Sequence, residues 1–175
     1  ARPGGVLGNG EQHRLAACGL LYRRLGDGQF FLANKRTCLA KRPADDDAID
    51  ARCKLVITAN DEQGPLVADV EGMALLPAGT FTTQNKPLLL ISSQGNDSYV
   101  LYQTTAPYKA VARFRIRLNA ELGIDGSSET DGLELTTLSL GKGFEQGAVI
   151  VQDGRNRMPE QGQNLKLVPL QQMLK

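Results

Sequence analysis

Apolar residues fall in short runs along the chain, many alternating with polar positions, and turn-forming clusters separate them. Strands are predicted over Gly19–Tyr22, Phe30–Ala33, Leu55–Thr58, Met73–Leu76, Leu88–Ser92, Tyr99–Tyr102, Val111–Arg117, Leu133–Leu138, Ala148–Val151 and Leu165–Val168. Gly26-Asp27-Gly28, Gly95-Asn96-Asp97, Asp125-Gly126-Ser127-Ser128 and Gly141-Lys142-Gly143 supply the breaks between them. Helical periodicity is confined to Pro169–Lys175. The pattern predicts an all-β chain of short strands.

The runs also repeat. Asp69-Val70-Glu71-Gly72-Met73-Ala74-Leu75 matches Glu129-Thr130-Asp131-Gly132-Leu133-Glu134-Leu135: an acidic residue, a glycine, then a strand, with Glu71 and Asp131 sixty residues apart. Leu89–Asn96 matches Ala148–Asn156, and Ser98–Tyr102 matches Asn164–Val168. A weaker copy begins at Cys18-Gly19-Leu20-Leu21 and continues through Phe30–Lys35. A unit of about 50–60 residues holding three or four strands has the size of a β-propeller blade. A β-sandwich with chance similarity is the alternative. The expected organisation is a partial blade over 1–36, an irregular joining segment over 37–53, a blade over 54–117, and a blade with a C-terminal tail over 118–175.

Composition narrows the chemistry. The 20 basic and 19 acidic residues leave a net charge of +1, without the broad positive field of a nucleic-acid binder. No apolar run approaches the roughly 20 residues of a membrane helix. Three cysteines without CxxC spacing and a single histidine, His13, argue against a disulfide framework, a zinc site or a Ser-His-Asp arrangement. Carboxylates in glycine-rich loops remain. Asp125-Gly126-Ser127-Ser128-Glu129-Thr130-Asp131-Gly132 offers three in one loop, a set of hard oxygen donors suited to calcium. Such loops are ordinarily solvated turns, but Glu71 and Asp131 recur at equivalent repeat positions. Arg113, Arg115 and Arg117 alternate along one predicted strand, as on an exposed outer face.

These motifs together resemble a known family. Asp69-Val70-Glu71-Gly72, Ser92–Tyr99, Phe114-Arg115-Ile116, Ile124–Gly132, Val151-Gln152-Asp153-Gly154 and Gly162–Pro169 are similar, in order and spacing, to the C-terminal blades of the β-propeller phytases. The resemblance implies an all-β propeller, with about half of a six-bladed ring in this chain. It implies calcium-dependent hydrolysis of phosphomonoesters of inositol hexakisphosphate, with water on calcium as the attacking group and no covalent nucleophile. By position, Asp69, Glu71 and Asp131 fall at active-site carboxylates, Asp125, Asp153 and Asn156 at calcium ligands, and Lys35 at a phosphate-holding lysine. It further implies a secreted or periplasmic protein, with phytate or another phosphomonoester as ligand and the other half of the propeller as partner.

Arg36 and Arg155 stand where that family usually has acidic residues. They favour a second reading, a propeller module that binds calcium or a phosphorylated ligand without turnover. A third is a structural fragment completed by another chain.

Overall fold

The computed structural model describes residues 21–24, 29–34, 38–43, 54–59, 64–67, 69–80 and 85–173. These form eleven strands in three antiparallel sheets. The first sheet runs β1 (Leu21–Arg24), β2 (Gln29–Asn34), β3 (Cys38–Pro43), β4 (Lys54–Thr58), each strand paired with the next. The second runs β5 (Val70–Leu76), β6 (Leu88–Ser93), β7 (Ser98–Gln103), β8 (Ala110–Phe114) in the same way. The third is β9 (Leu133–Thr136), β10 (Ala148–Asp153) and β11 (Asn164–Pro169), with β10 in the middle. The first strands of the sheets lie side by side, β1 against β5 and β5 against β9. That is the arrangement of blades around a common axis.

The middle sheet packs on both faces. Leu66, Val70, Met73, Leu89, Ile91, Val100 and Tyr102 form one cluster, with Ile57 of the first sheet against it. Ala74, Leu76, Leu90, Tyr99 and Leu101 join Leu133, Val149 and Val151 of the third sheet in another. With neither face in water, β5, β6 and β7 are buried almost continuously, which is why Leu88–Ile91 is an unbroken apolar run. Each such side chain removed from water contributes about 1.5–3 kcal/mol.

Three sequence expectations differ from the structure. The segment 37–53, read as irregular, contains β3, and β4 completes the first sheet rather than opening the second. Lys41, Arg42 and Pro43 give weak strand character by themselves, but all three pair with β2 in register, through Phe31, Phe30 and Gln29. The predicted C-terminal helix is one 3-10 turn, Leu170–Gln172, which sets Leu170 and Met173 into the core on the same side. The third correction shortens Val111–Arg117: β8 ends at Phe114, and Arg113, Arg115 and Arg117 are all exposed.

Tyr102 carries a testable consequence of this packing. Its hydroxyl is buried without a hydrogen-bond partner, and burial pushes the phenol up to about 12. The folded state therefore favours the neutral phenol. The stability this group contributes is intact below pH 10 and is lost as pH rises towards 12. Tyr102→Phe is expected to leave stability at pH 7 unchanged or raise it by up to ~1 kcal/mol, because no bond is lost. It should also flatten the alkaline decline, measured by urea denaturation between pH 8 and about 12.

Candidate functional site

Register brings the acidic motifs to one end of the sheets. Val70, at the start of β5, pairs with Ser93 at the end of β6, and Leu133, opening β9, pairs with Val151 near the end of β10. The entry to each first strand therefore meets the turn after the second strand of its sheet. Asp69, the 94–97 turn, the 125–132 loop and the 153–156 turn share that end.

The entry to β5 is irregular. The pairing with β6 shifts between Val70 and Met73, a bulge that spans Glu71 and Gly72. Bulges re-aim side chains, and here Glu71 is turned into a buried position. Gly72 permits the neighbouring blade to come close, since a Cβ there would stand 2.9 Å from the Leu133 nitrogen. Its own N–H donates to Ser92 Oγ at 2.7 Å. At Gly72 glycine is required because β5 and β9 touch there, whereas nothing lies within 4 Å of a Cβ at Gly132.

Hydrogen bonds cross the seam between the second and third sheets. The Gln94 backbone N–H donates to the Asp69 carbonyl at 2.8 Å, and Gln94 Nε2 donates to Asp131 Oδ1 at 2.6 Å. One glutamine thus joins the acidic positions of two successive repeats. Asp131 is also held from its own sheet, its N–H donating to Gln152 Oε1 at 2.7 Å. Gln152 is the repeat counterpart of Gln94. Nearby, the Glu129 N–H donates to Asp97 Oδ1 at 2.9 Å, and both residues adopt the left-handed backbone region, with φ of 47° and 51°.

Between these groups lies an open, polar cleft of about 280 Å³, lined by Asp69, Gln94, Gly95, Asp97, Glu129 and Arg155. Arg155 pairs with Glu129. The hydrogen bond from Arg155 holds the Glu129 carboxyl below its ordinary range, and the same contact raises the guanidinium. Both side chains are largely exposed, so the pair contributes little to stability.

Asp125, Asp153 and Asn156, which the resemblance placed at calcium ligands, come together around Lys166. The Lys166 ammonium contacts Asp125 Oδ1, lies 3.2 Å from Asp153 Oδ2, and donates to Asn156 Oδ1 at 3.1 Å. Burial works against the charge on Lys166, but its bonds to Asp125 and Asp153 outweigh that and raise its pKa. Burial likewise works to raise Asp125; its bonds from Lys166 and the Arg157 backbone N–H hold it below the ordinary carboxylate range.

The loop between these groups hangs on Tyr99. Its ring stacks on Phe114 with centroids 5.3 Å apart. Its hydroxyl reaches Ser127 Oγ at 2.8 Å and Thr130 Oγ1 at 2.5 Å, tying β7 to the loop that carries Glu129 and Asp131. Tyr99→Phe should cost about 1–3 kcal/mol, since two buried hydroxyls lose their shared partner. Urea denaturation measures the loss, and faster amide exchange should be confined to residues 125–132.

Comparison with known proteins decides the family. A family model for phytases matches residues 25–174. The chain belongs to the phytase family. It is 36% identical over 110 residues to a 3-phytase of Bacillus subtilis (strain 168), an alignment that covers 62% of this chain and 27% of that protein. Its three sheets are therefore blades of a phytase-type β-propeller, part of a ring.

Set against this family, the two acidic groups differ in how they suit calcium, which takes six to eight oxygen donors at about 2.3–2.6 Å. The Asp125–Asp153–Asn156 group does not fit, because an ammonium already stands among its oxygens. The cleft carries hard oxygen donors on Asp69, Asp97 and Glu129 around open polar space, with the Arg155 guanidinium already paired with Glu129. Among the described residues no three metal-ligating side chains converge on one point, so a cation there would complete its shell from water or ligand oxygens.

Lys35 and Arg36 lie outside the described residues. Gln94, Asp97, Arg155 and Lys166 are site residues that the sequence reading had not assigned. The recurrence of Gln94 and Gln152 at equivalent repeat positions was the available signal for the first of them.

Proposed function

We propose that this chain contributes three blades to a calcium-dependent phosphomonoester hydrolase acting on inositol hexakisphosphate. The observation that carries the reading is the Gln94 bridge beside the cleft, whose backbone N–H bonds the Asp69 carbonyl and whose side chain bonds the Asp131 carboxylate of the next blade. Asp69 and Asp97, with Glu129, would hold calcium together with substrate oxygens. Bound calcium would neutralise phosphate charge and lower the pKa of a water.

Asp131 is fixed through Oδ1 by Gln94 and through its backbone by Gln152. Its Oδ2 would take the proton of a water attacking phosphorus in line, while the ester P–O bond breaks and the inositol oxygen leaves with a proton from solvent. Glu71, buried at the entry to β5, would be a further active-site carboxylate, and Lys35 would contact a substrate phosphate. The protein would be secreted or periplasmic, and the rest of the ring would close the channel mouth.

Arg155 beside Glu129 favours a second reading, in which the cleft binds a phosphorylated ligand without turnover. Phosphate release from phytate, with calcium and with chelator, separates the two. Calcium-dependent release supports the hydrolase; phytate binding without release at saturating calcium establishes the binding module instead.

A further inference from the structure

The β11 strand reverses the usual alternation. Leu165 and Leu167 are 64% and 52% exposed, whereas Lys166 between them is 6% exposed and points inward. Register fixes this orientation, since β11 pairs with β10 without interruption from Asp153↔Asn164 to Ala148↔Pro169. A one-residue slip would bury the leucines. Lys166 pairs with Val151, which packs against the second sheet, and the two leucines lie on the opposite face of the third sheet.

That ammonium donates to two side-chain oxygens, Asp125 Oδ1 and Asn156 Oδ1, and stands as an ion pair 3.2 Å from the third, Asp153 Oδ2. The remaining polar atoms of the group are bound within the protein. Asp125 Oδ2 accepts the Arg157 N–H at 2.6 Å. Asp153 Oδ1 accepts the Ser128 N–H at 3.0 Å, Ser128 Oγ at 3.3 Å and the Arg155 N–H at 3.3 Å. Asn156 Nδ2 donates to the Pro159 carbonyl at 2.8 Å. Asp153 is fully buried and Asp125 only 13% exposed, so unpaired negative charge would be costly there.

We infer that the Lys166 ammonium takes the place of a metal ion among Asp125, Asp153 and Asn156, making a metal-free clamp that holds the 125–132 loop and the 153–157 turn against β11. The ammonium itself occupies the space between the three oxygens, where a calcium ion would need six to eight oxygen donors. Neither the ordering of this corner nor its charge balance then depends on calcium. Any calcium that the protein uses binds elsewhere.

The unaltered protein provides the first test. Amine acylation mapped by mass spectrometry should modify Lys166 at least about tenfold more slowly than exposed Lys109 and Lys142, in chelator and in saturating calcium alike. If calcium instead enters the group, Lys166 is expelled and its labelling rises to that of the exposed lysines, which overturns the inference.

Two variants extend the test. Equilibrium dialysis should find the same number of calcium ions on Asp125→Asn as on the parent, and one fewer overturns the clamp. Lys166→Met should lower the Tm in chelator by on the order of 10 °C, because two buried carboxylates lose their cation. An unchanged Tm counts against Lys166 as the clamp. None of these readouts depends on phosphate release, so they stand or fall separately from the proposed hydrolase activity.

Discussion

Gly147→Ala is expected to destabilise the protein by about 3 kcal/mol or more, the largest stability effect of any single methyl group considered for this fold. Gly147 has φ of 95° and precedes β10; a Cβ there would stand 1.9 Å from the Thr136 carbonyl oxygen and 2.8 Å from Thr137 Cα. The neighbouring atoms belong to backbone, not to a flexible side chain. Thr136 pairs with Ala148, so relief requires β9 to move away from β10. The Gly147 carbonyl also accepts the Leu170 N–H at 3.0 Å, which ties the C-terminal turn to the same point. A fall in Tm of on the order of 10 °C follows. Gly141→Ala is the control: its φ is 99°, but nothing lies within 4 Å of the added carbon, so only the conformational cost of about 1–2 kcal/mol applies. Equal losses in the two variants would show that the contact with β9 is not limiting.

Asp131→Asn is expected to reduce phosphate release from phytate by about 100- to 1,000-fold while leaving the fold intact. The substitution preserves shape but removes the charge and the proton-accepting oxygen. Asp131 is exposed, and its backbone N–H bond to Gln152 does not depend on the side chain. Steady-state kinetics on the calcium-loaded protein should show the loss in kcat, with thermal melting close to that of the parent. Retention of full activity would remove Asp131 from the reaction.

The strands of the middle blade were legible because both faces are buried, so sequence and burial show the same unbroken apolar runs. The acid-glycine motifs were legible because they repeat. β3 was not, since Lys41-Arg42-Pro43 becomes strand only through its neighbour β2. Lys166 was hidden for a different reason. In Leu165-Lys166-Leu167 hydrophobic patterning turns the leucines inward, and only pairing with β10 shows the reverse. Gln94 stands in a turn by its neighbours, and its backbone does enter the short 3-10 turn Gln94–Asn96, while its side chain serves the neighbouring blade. Contacts between repeats are the part of a site that a single stretch of sequence records least.

The bonds across the seam bear on how this protein comes apart. In many repeat arrays each unit has its own stability, and neighbours are joined by an interface term. Here Tyr99, Gln94 and Asp97 of the second blade hold the loop from which the third begins, and Leu133, Val149 and Val151 complete the second blade's core. The interface term is therefore large relative to either unit. The two blades are expected to melt together in one cooperative step, seen as a single calorimetric transition, and the mouth of the cleft would form only when both are folded.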